Sequence, residues 1–297
     1  MDVTVVVVTR NRREELLRSL PRHEAPVILV DNGSDDGTAK AVRRALPAVR
    51  VAELPCNRGA AGRTVGVELA STPYVAFADD DSWWAPGALQ RAAELFDAHP
   101  RMGLLAARIL VGAGNVLDPI CEQMGRSPLG REPDLPGPSL MGFLACAAMV
   151  RREAFCAVGG FDEVVRFPGE EERVALDLAE AGWGLAYVDE VVVHHHPSRS
   201  RDRPDERRVA IARSKLLTAV MRRPWERVRS ETLGQLRSGP SGRAAALAVL
   251  PRLPAALRAR RRTSDAVERD LNRLHSSDSQ DRIVVYGAQR RGTRAID

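Results

Sequence analysis

Three adjacent carboxylates, Asp79-Asp80-Asp81, close a short apolar run, 74–78. Like charges held this close raise one another's pKa values, and a divalent cation relieves the repulsion. Hard cations such as Mg²⁺ and Mn²⁺ take oxygen ligands and bridge carboxylates to phosphates. A solvated acidic turn would look the same in isolation. Its place directly after an apolar strand, beside other polar loops, favours the cation-and-phosphate reading. Two further clusters carry chemistry. Pro168-Gly169-Glu170-Glu171-Glu172 opens a helical pattern. Acidic residues are favoured in a first helical turn by the macrodipole, and a carboxylate held there can also take a proton from a hydroxyl. His194-His195-His196 follows another apolar run and is internal to the chain. Alternate strand residues share a face, which pairs His194 with His196. Neutral imidazoles suit a borderline cation such as Mn²⁺; exposed loop histidines are the plainer alternative.

These residues need a scaffold, and the apolar pattern supplies one. Runs at 3–8, 27–30, 49–54, 74–78 and 103–110 alternate with amphipathic stretches at 13–20, 36–46, 61–70 and 86–98. Strand, helix, strand at this spacing predicts βαβ units and a parallel sheet. The runs are continuously apolar because helices cover both faces of such a sheet. Residues 112–139, rich in Gly and Pro, read as a long irregular loop. After it come a strand at 143–150, a helix at 170–181 and a last strand at 183–193. Ligands bind at the carboxyl ends of strands in open α/β sheets. Those ends here carry Thr9-Arg10-Asn11-Arg12, then Asp31-Asn32 with the turn through Thr38, then Asn57-Arg58-Gly59, then the aspartate triplet. Asp35 and Asp36 read as a helix cap and its turn. Asp31 sits at the strand end itself, where it can accept hydrogen bonds from a base or ribose.

The chain has 297 residues, 44% of them hydrophobic, enough for one large α/β domain with a helical appendage. Net charge is +5, but residues 199–297 hold 24 Lys and Arg against 11 Asp and Glu. The first two thirds are therefore acidic and the tail basic. The tail suits a solvated helical surface, an oligomer contact or a membrane-surface patch near anionic lipid. Without a recognition motif or interleaved aromatics, it gives no sign of nucleic-acid binding. Cys56, Cys121, Cys146 and Cys156 form no C-x-x-C pair and read as reduced core thiols. No signal peptide and no membrane-spanning stretch is apparent, so a cytoplasmic protein, in peripheral contact with the membrane at most, is expected.

Taken in order, VVVVTRNR (5–12), VILVDNGSDDGT (27–38), NRGAAGRTVG (57–66), VAFADDDSWWAPGAL (75–89), FLACAAMVRREAFCAVGGFDE (143–163), GEEERVALDLAEAGW (169–183) and VVVHHHPS (191–198) resemble glycosyltransferase family 2, inverting enzymes of GT-A fold. The resemblance covers about residues 3–200. It implies an α/β GT-A fold: one Rossmann-like, mostly parallel twisted sheet flanked by helices, with a C-terminal helical extension. The implied division is a catalytic domain at 1–200, a basic helical extension at 201–275 and a loosely ordered tail at 276–297. Position by position, Thr9, Asp31, Arg58 and Arg63 are implied nucleotide contacts, completed by Asn11, Arg12 and Asn32. Asp79 and Asp80 fall on the ribose and diphosphate side. Asp81 is the implied main metal ligand, with Asp79, His194 and His196 as further candidates for Mn²⁺ or Mg²⁺. Glu171 is the implied base and Glu170 the runner-up. Trp83, Trp84 and Trp183 suit either an acceptor cleft or core packing. Three departures stand out: Glu-Glu replaces the family's Glu-Asp, Arg173 stands where an acidic residue is common, and Thr64 where Asn is common. The implied partners are a UDP-, GDP- or dTDP-sugar donor and a carbohydrate, lipid-linked or small-molecule acceptor. A sugar nucleotidyltransferase is the rival enzyme, though its Gly-rich basic loop is missing after the first strand. A non-catalytic nucleotide-sugar binder is the rival outside catalysis.

Overall fold

The strands form wherever β-branched residues run without interruption. β1 (Val3–Thr9) is VTVVVVT and is almost wholly buried. After α1 (Arg13–Ser19), β2 (Val27–Asp31) is buried along its whole length. α2 (Thr38–Ala45), β3 (Arg50–Glu53), α3 (Ala61–Leu69) and β4 (Tyr74–Ala78) complete the first half. The computed structural model describes residues 2–197 and 204–278. β1 pairs in parallel with β2 and β4, and β2 with β3. α3 lies hard against this sheet because glycines face it: a Cβ on Gly66 would sit 2.3 Å from Val6 Cγ1.

The second half departs from simple alternation. β5 (Ser82–Trp84) follows the aspartates at once, then α4 (Ala88–Ala98), β6 (Met102–Val111), β7 (Val116–Leu117) and α5 (Pro119–Gly125). β8 (Ala148–Arg151), α6 (Arg152–Ala157), α7 (Glu171–Glu180) and β9 (Gly184–His195) close the sheet. The order is β3-β2-β1-β4-β8-β6-β9-β5, with β7 beside β6. β8 runs antiparallel between β4 and β6, while β9 is parallel to β6 and antiparallel to β5. The sheet is therefore mixed, its parallel strands broken by antiparallel insertions.

Three expectations need correction. The strand expected at 143–150 shrinks to β8, because residues 145–147 form a 3-10 turn instead. There the Ser82 hydroxyl reaches the Cys146 carbonyl at 3.4 Å, which a continuous ladder would not allow. The loop expected at 112–139 contains β7 and α5; Asp118 caps α5 by accepting from the Ile120 N–H at 3.1 Å. The four thiols are free, but Cys56 and Cys156 are exposed rather than core residues.

Five helices follow: α8 (Pro204–Arg222), α9 (Trp225–Arg237), α10 (Pro240–Val249), α11 (Leu253–Arg258) and α12 (Asp265–Asp278). α8 to α11 build an apolar cluster around Leu216, Leu217, Val220, Met221, Val249 and Ala256, while α12 packs separately through Val267 and Leu271 against Met141 and Leu176. Two of their arginines turn inward. Arg222 pairs with Asp177 of α7, and Arg223 with Glu268 at 2.7 Å. From residue 279 on, the expected tail lies outside the described residues. No helix among them is long and apolar enough to cross a membrane.

Replacing Gly66 by Ala forces its new methyl into Val6, so urea unfolding should report about 1–3 kcal/mol lost stability. Gly234→Ala, in an open position within α9, should instead gain roughly 0.5–1 kcal/mol. Equal effects at the two sites would contradict the close packing of α3.

Candidate active site

The carboxyl ends of β1, β2, β4 and β9 gather the chemistry. Asp31 is buried at the end of β2, and its Oδ1 accepts from the Ser34 N–H at 2.8 Å. Asn32, also buried, binds the next loop twice. Its Oδ1 accepts from the Arg58 N–H at 2.8 Å, and its Nδ2 donates to the Gly59 carbonyl at 2.9 Å. Asn11 is held in turn: its N–H donates to Ser34 Oγ at 2.9 Å and its Oδ1 accepts from the Asp35 N–H. These contacts lock three loops into one wall. Arg58 itself swings to Glu163 at 2.7 Å, and Arg12 lies near Glu15 at 3.9 Å.

The aspartates split into separate environments. Asp79 Oδ1 accepts from Arg63 at 2.7 Å, and its N–H donates to Ser82 Oγ at 2.8 Å. Asp80 accepts from the Thr9 hydroxyl at 3.2 Å. Burial first, then the charges of Asp79 and Asp81, push the Asp80 carboxyl up to about 7. Asp81 Oδ1 lies 3.3 Å from His195 Nε2, and the Asp81 carbonyl accepts from the His196 N–H at 2.8 Å.

That contact redirects the histidine expectation. β5 pairs with the end of β9 so that Ser82 faces His195 and Trp83 faces His194. Strand alternation then sends His195 toward Asp81 and the other two toward Trp83. Trp83 stacks on His194 with ring centroids 5.6 Å apart and lies 4.7 Å from His196. The Arg22 guanidinium covers the indole at 4.0 Å. His194 Nδ1 lies 3.0 Å from Asn115 Oδ1. Burial, then Arg22 and the neighbouring histidines, hold the His196 pKa below its ordinary value. Ser82, Arg22 and Asn115 are not singled out in the sequence, and His195 stands there only as the middle of the histidine run. The Ser82–His195 register that selects His195 is a tertiary fact with no local signal.

The tryptophans separate likewise. Trp84 is 1% exposed and donates to the Phe77 carbonyl at 3.1 Å, so it is core and not cleft. Trp183 precedes β9, at the opposite sheet edge from the aspartates, and packs against Gly103. Trp83 is the one tryptophan of the three at the site.

The Glu-Glu pair faces the aspartates through one cation. Arg63, at the start of α3, is 6% exposed and reaches Asp79 with one nitrogen and Glu170 with another at 3.3 Å. Glu170 is 1% exposed, and its second oxygen has no hydrogen-bond partner. Burial, then the charge of Glu171, push its carboxyl up to about 8. Burial also raises Glu171, opposed by main-chain N–H groups including that of Ala145. Unlike Glu170, Glu171 is half-buried and lines a cleft with Phe143, Phe167, Arg207 and Ile211. The departures from the family pattern prove structural. Arg173 pairs with Asp162 at 2.7 Å and with Asp177, and Thr64 donates to the Phe161 carbonyl at 2.9 Å.

The donor set suits a hard cation, since three carboxylates share one turn and Asp80 is left short of counter-charge. Among the described residues no three His, Cys, Asp or Glu groups converge as a complete chelate. Asp81 and His195 would hold a cation only if other ligands came from a bound anion.

With this geometry in hand, the likenesses to known proteins fall into place. The pattern of Glycosyl transferase family 2 matches residues 4–159, and the chain belongs to that family. A curated relative from Mycobacterium tuberculosis, N-acetylglucosaminyl-diphospho-decaprenol L-rhamnosyltransferase, is 31% identical over 60% of this chain and 68% of its own. The mannosyltransferase PcManGT from Pyrobaculum calidifontis, solved with GDP-Man and Mn²⁺, superposes with a TM-score of 0.52 at 22% identity, covering 87% of this chain and 73% of that one. GalNAc-T7, solved with UDP, GalNAc and Mn²⁺, gives 0.60 at 12% identity, covering 94% and 57%. The two structures share the fold.

A carboxyl whose folded pKa is raised binds its proton more tightly in the folded state. Its contribution is present at acid pH and is lost as pH climbs from the ordinary 4.5 toward about 8. Urea midpoints of the unaltered chain should therefore fall across that window, and those of Glu170→Gln should fall less. Parallel curves would show that Glu170 is not the buried, protonated partner.

Proposed function

We propose that this chain moves a sugar from a nucleoside-diphosphate sugar to an acceptor hydroxyl with inversion, Glu171 acting as general base. The observation that carries this is Arg63, whose buried guanidinium joins Asp79 of the aspartate turn to Glu170 of the Glu-Glu pair and so holds the two sets of carboxylates about one side chain. Asp31, Asn32 and the loop through Arg58 would hold the nucleoside, with Thr9, Asn11 and Arg12 alongside. Asp79, fixed by Arg63, and Asp80 would face the ribose and diphosphate. Asp81 and His195 would hold a divalent cation, which supplies Lewis-acid stabilisation of the charge that grows on the leaving diphosphate. His194 and His196, packed on Trp83, would shape that wall.

Glu171 faces the cleft while Glu170 is sealed behind it. A base must reach the hydroxyl, so position selects Glu171. Its raised pKa brings the carboxylate nearer the working range of a base. Deprotonation of the acceptor oxygen as it attacks the anomeric carbon from the face opposite the diphosphate gives inversion.

The acceptor is proposed from likeness and surface together. The Mycobacterium tuberculosis relative is named for a sugar carried on diphospho-decaprenol. A lipid-linked acceptor would bring this chain to a membrane surface, and Trp225, Leu247, Leu250 and Leu257 are exposed on the C-terminal helices. Arginines flank them, as in segments that settle on anionic lipid.

Glu171→Gln should keep donor binding and lose about 10²- to 10⁴-fold in transfer; near-normal turnover removes Glu171 as the base. In the same series, His195→Ala should weaken Mn²⁺-dependent donor binding in calorimetry, whereas His194→Ala should leave the Mn²⁺ dependence in place. The reverse ranking would return the cation to His194. In liposome flotation the chain should rise with anionic vesicles, and the Leu247→Glu/Leu250→Glu double variant should stay behind. Equal flotation of the two would exclude this face.

A further inference from the structure

Most buried arginines here have an acid. Arg63, Arg173, Arg222 and Arg223 each pair with Asp or Glu, and exposed Arg58 finds Glu163. Arg166, Arg213 and Arg252 do not. They are half-buried at the seam between the catalytic sheet and the C-terminal helices, and among the described residues none has a carboxylate within ion-pair distance. Arg166 runs past Gly59, where a Cβ would lie 3.6 Å from its Cγ. Its carbonyl accepts from the Ser214 hydroxyl at 2.9 Å and from Arg213 Nη2 at 3.5 Å. Arg252 ends the 3-10 turn 250–252. The Nε atoms of Arg166 and Arg213 are buried without a hydrogen-bond partner.

Such a cluster is costly by itself. Burial first, then Arg252 and Arg166, pull the Arg213 guanidinium pKa below its ordinary value; burial and Arg166 do the same to Arg252. An anion between the three would supply the missing hydrogen bonds and remove the repulsion. Guanidinium forks match phosphate oxygens in geometry and charge. The cluster is linked to the loop before the Glu-Glu pair through Ser214, whose hydroxyl binds the Arg166 carbonyl and against which Gly169 packs.

We propose that Arg166, Arg213 and Arg252 form a site for a phosphate or diphosphate carried by the acceptor. It would hold that group while the acceptor's sugar hydroxyl enters the cleft at Glu171. The site is separate from the donor's diphosphate, which the aspartate turn would take. This rests on the reading of the Glu171 cleft as the acceptor side.

The test is calorimetry on the full chain in EDTA, titrated with farnesyl diphosphate, farnesol and inorganic pyrophosphate. Farnesyl diphosphate should bind and farnesol should not. Arg213→Gln/Arg252→Gln should weaken farnesyl diphosphate at least tenfold, while Arg258→Gln, on the exposed side of α11, should not. Relief of the repulsion should leave the double variant's melting temperature equal to or above that of the unaltered chain, whereas a structural role would lower it. Saturating UDP, GDP or dTDP should not displace the ligand. Unchanged affinity in the double variant, or displacement by a nucleotide, overturns the proposal. Pyrophosphate binding as tightly as farnesyl diphosphate would assign the cluster to a free anion, and binding to anionic vesicles alone would assign it to a lipid surface; either result overturns it. Donor turnover by the unaltered chain is measured alongside. Absent turnover with intact farnesyl diphosphate binding would count against the transferase reading and not against the site.

Discussion

The aspartate turn is a bridge too short for a flat sheet. Asp79, Asp80 and Asp81 alone join the end of β4 to the start of β5. Four residue steps reach at most about 14 Å. In the sheet, β5 stands four strand positions from β4, which at about 4.8 Å each would be roughly 19 Å if flat. The sheet must curl, and curling carries the end of β9 toward the end of β4. That brings His195 within 3.3 Å of Asp81. It also leaves no room for a full strand between β4 and β6 at this edge, so residues 145–147 tighten into a 3-10 turn. The turn then presents the Ala145 N–H to Glu171 and the Cys146 carbonyl to Ser82. One short connection thus fixes both walls of the site.

Arg63 imposes the second constraint. A buried guanidinium must be paired, and this one divides its nitrogens between Asp79 and Glu170. Removing one member of a buried ion pair generally costs far more than the pair's net contribution, because a charge is left stranded. The aspartate turn, the start of α3 and the start of α7 are therefore coupled through a single side chain. It leaves Asp80 and Glu171 as the under-compensated carboxylates, one toward each wall.

Local patterns in the sequence specify much of this and stop where register begins. Tyr74–Ala78 coincides with the apolar run, because a strand buried on both faces has no polar residue to blur its ends. Thr9, Asp31, Asn32 and the aspartates were legible as site candidates because strand ends and polar loops coincide. Choosing among three consecutive histidines was not. Alternation pairs His194 with His196 correctly, but which face meets Asp81 depends on Ser82 lying opposite His195. Trp84 misleads for the same reason: β5 is too short to show a period, and one step along it exchanges cleft for core. The resemblance implies a nucleotide contact at Arg63, and no local pattern shows that its buried guanidinium bridges Asp79 and Glu170. Its partners are 16 and 107 residues away in sequence.

The two glutamates show why adjacency in sequence need not mean equivalence. Glu170 precedes the first residue of α7, and its side chain turns inward to Arg63. Glu171 opens the helix and points into the cleft. Two carboxylates this close to one guanidinium, itself shared with Asp79, favour holding one proton between them near neutral pH. The sealed site keeps that proton better, since burial penalises the charged form more strongly where exposure is 1%. Position then separates the two: Glu170 is sealed against Arg63, and Glu171 stands on the side that opens to the cleft.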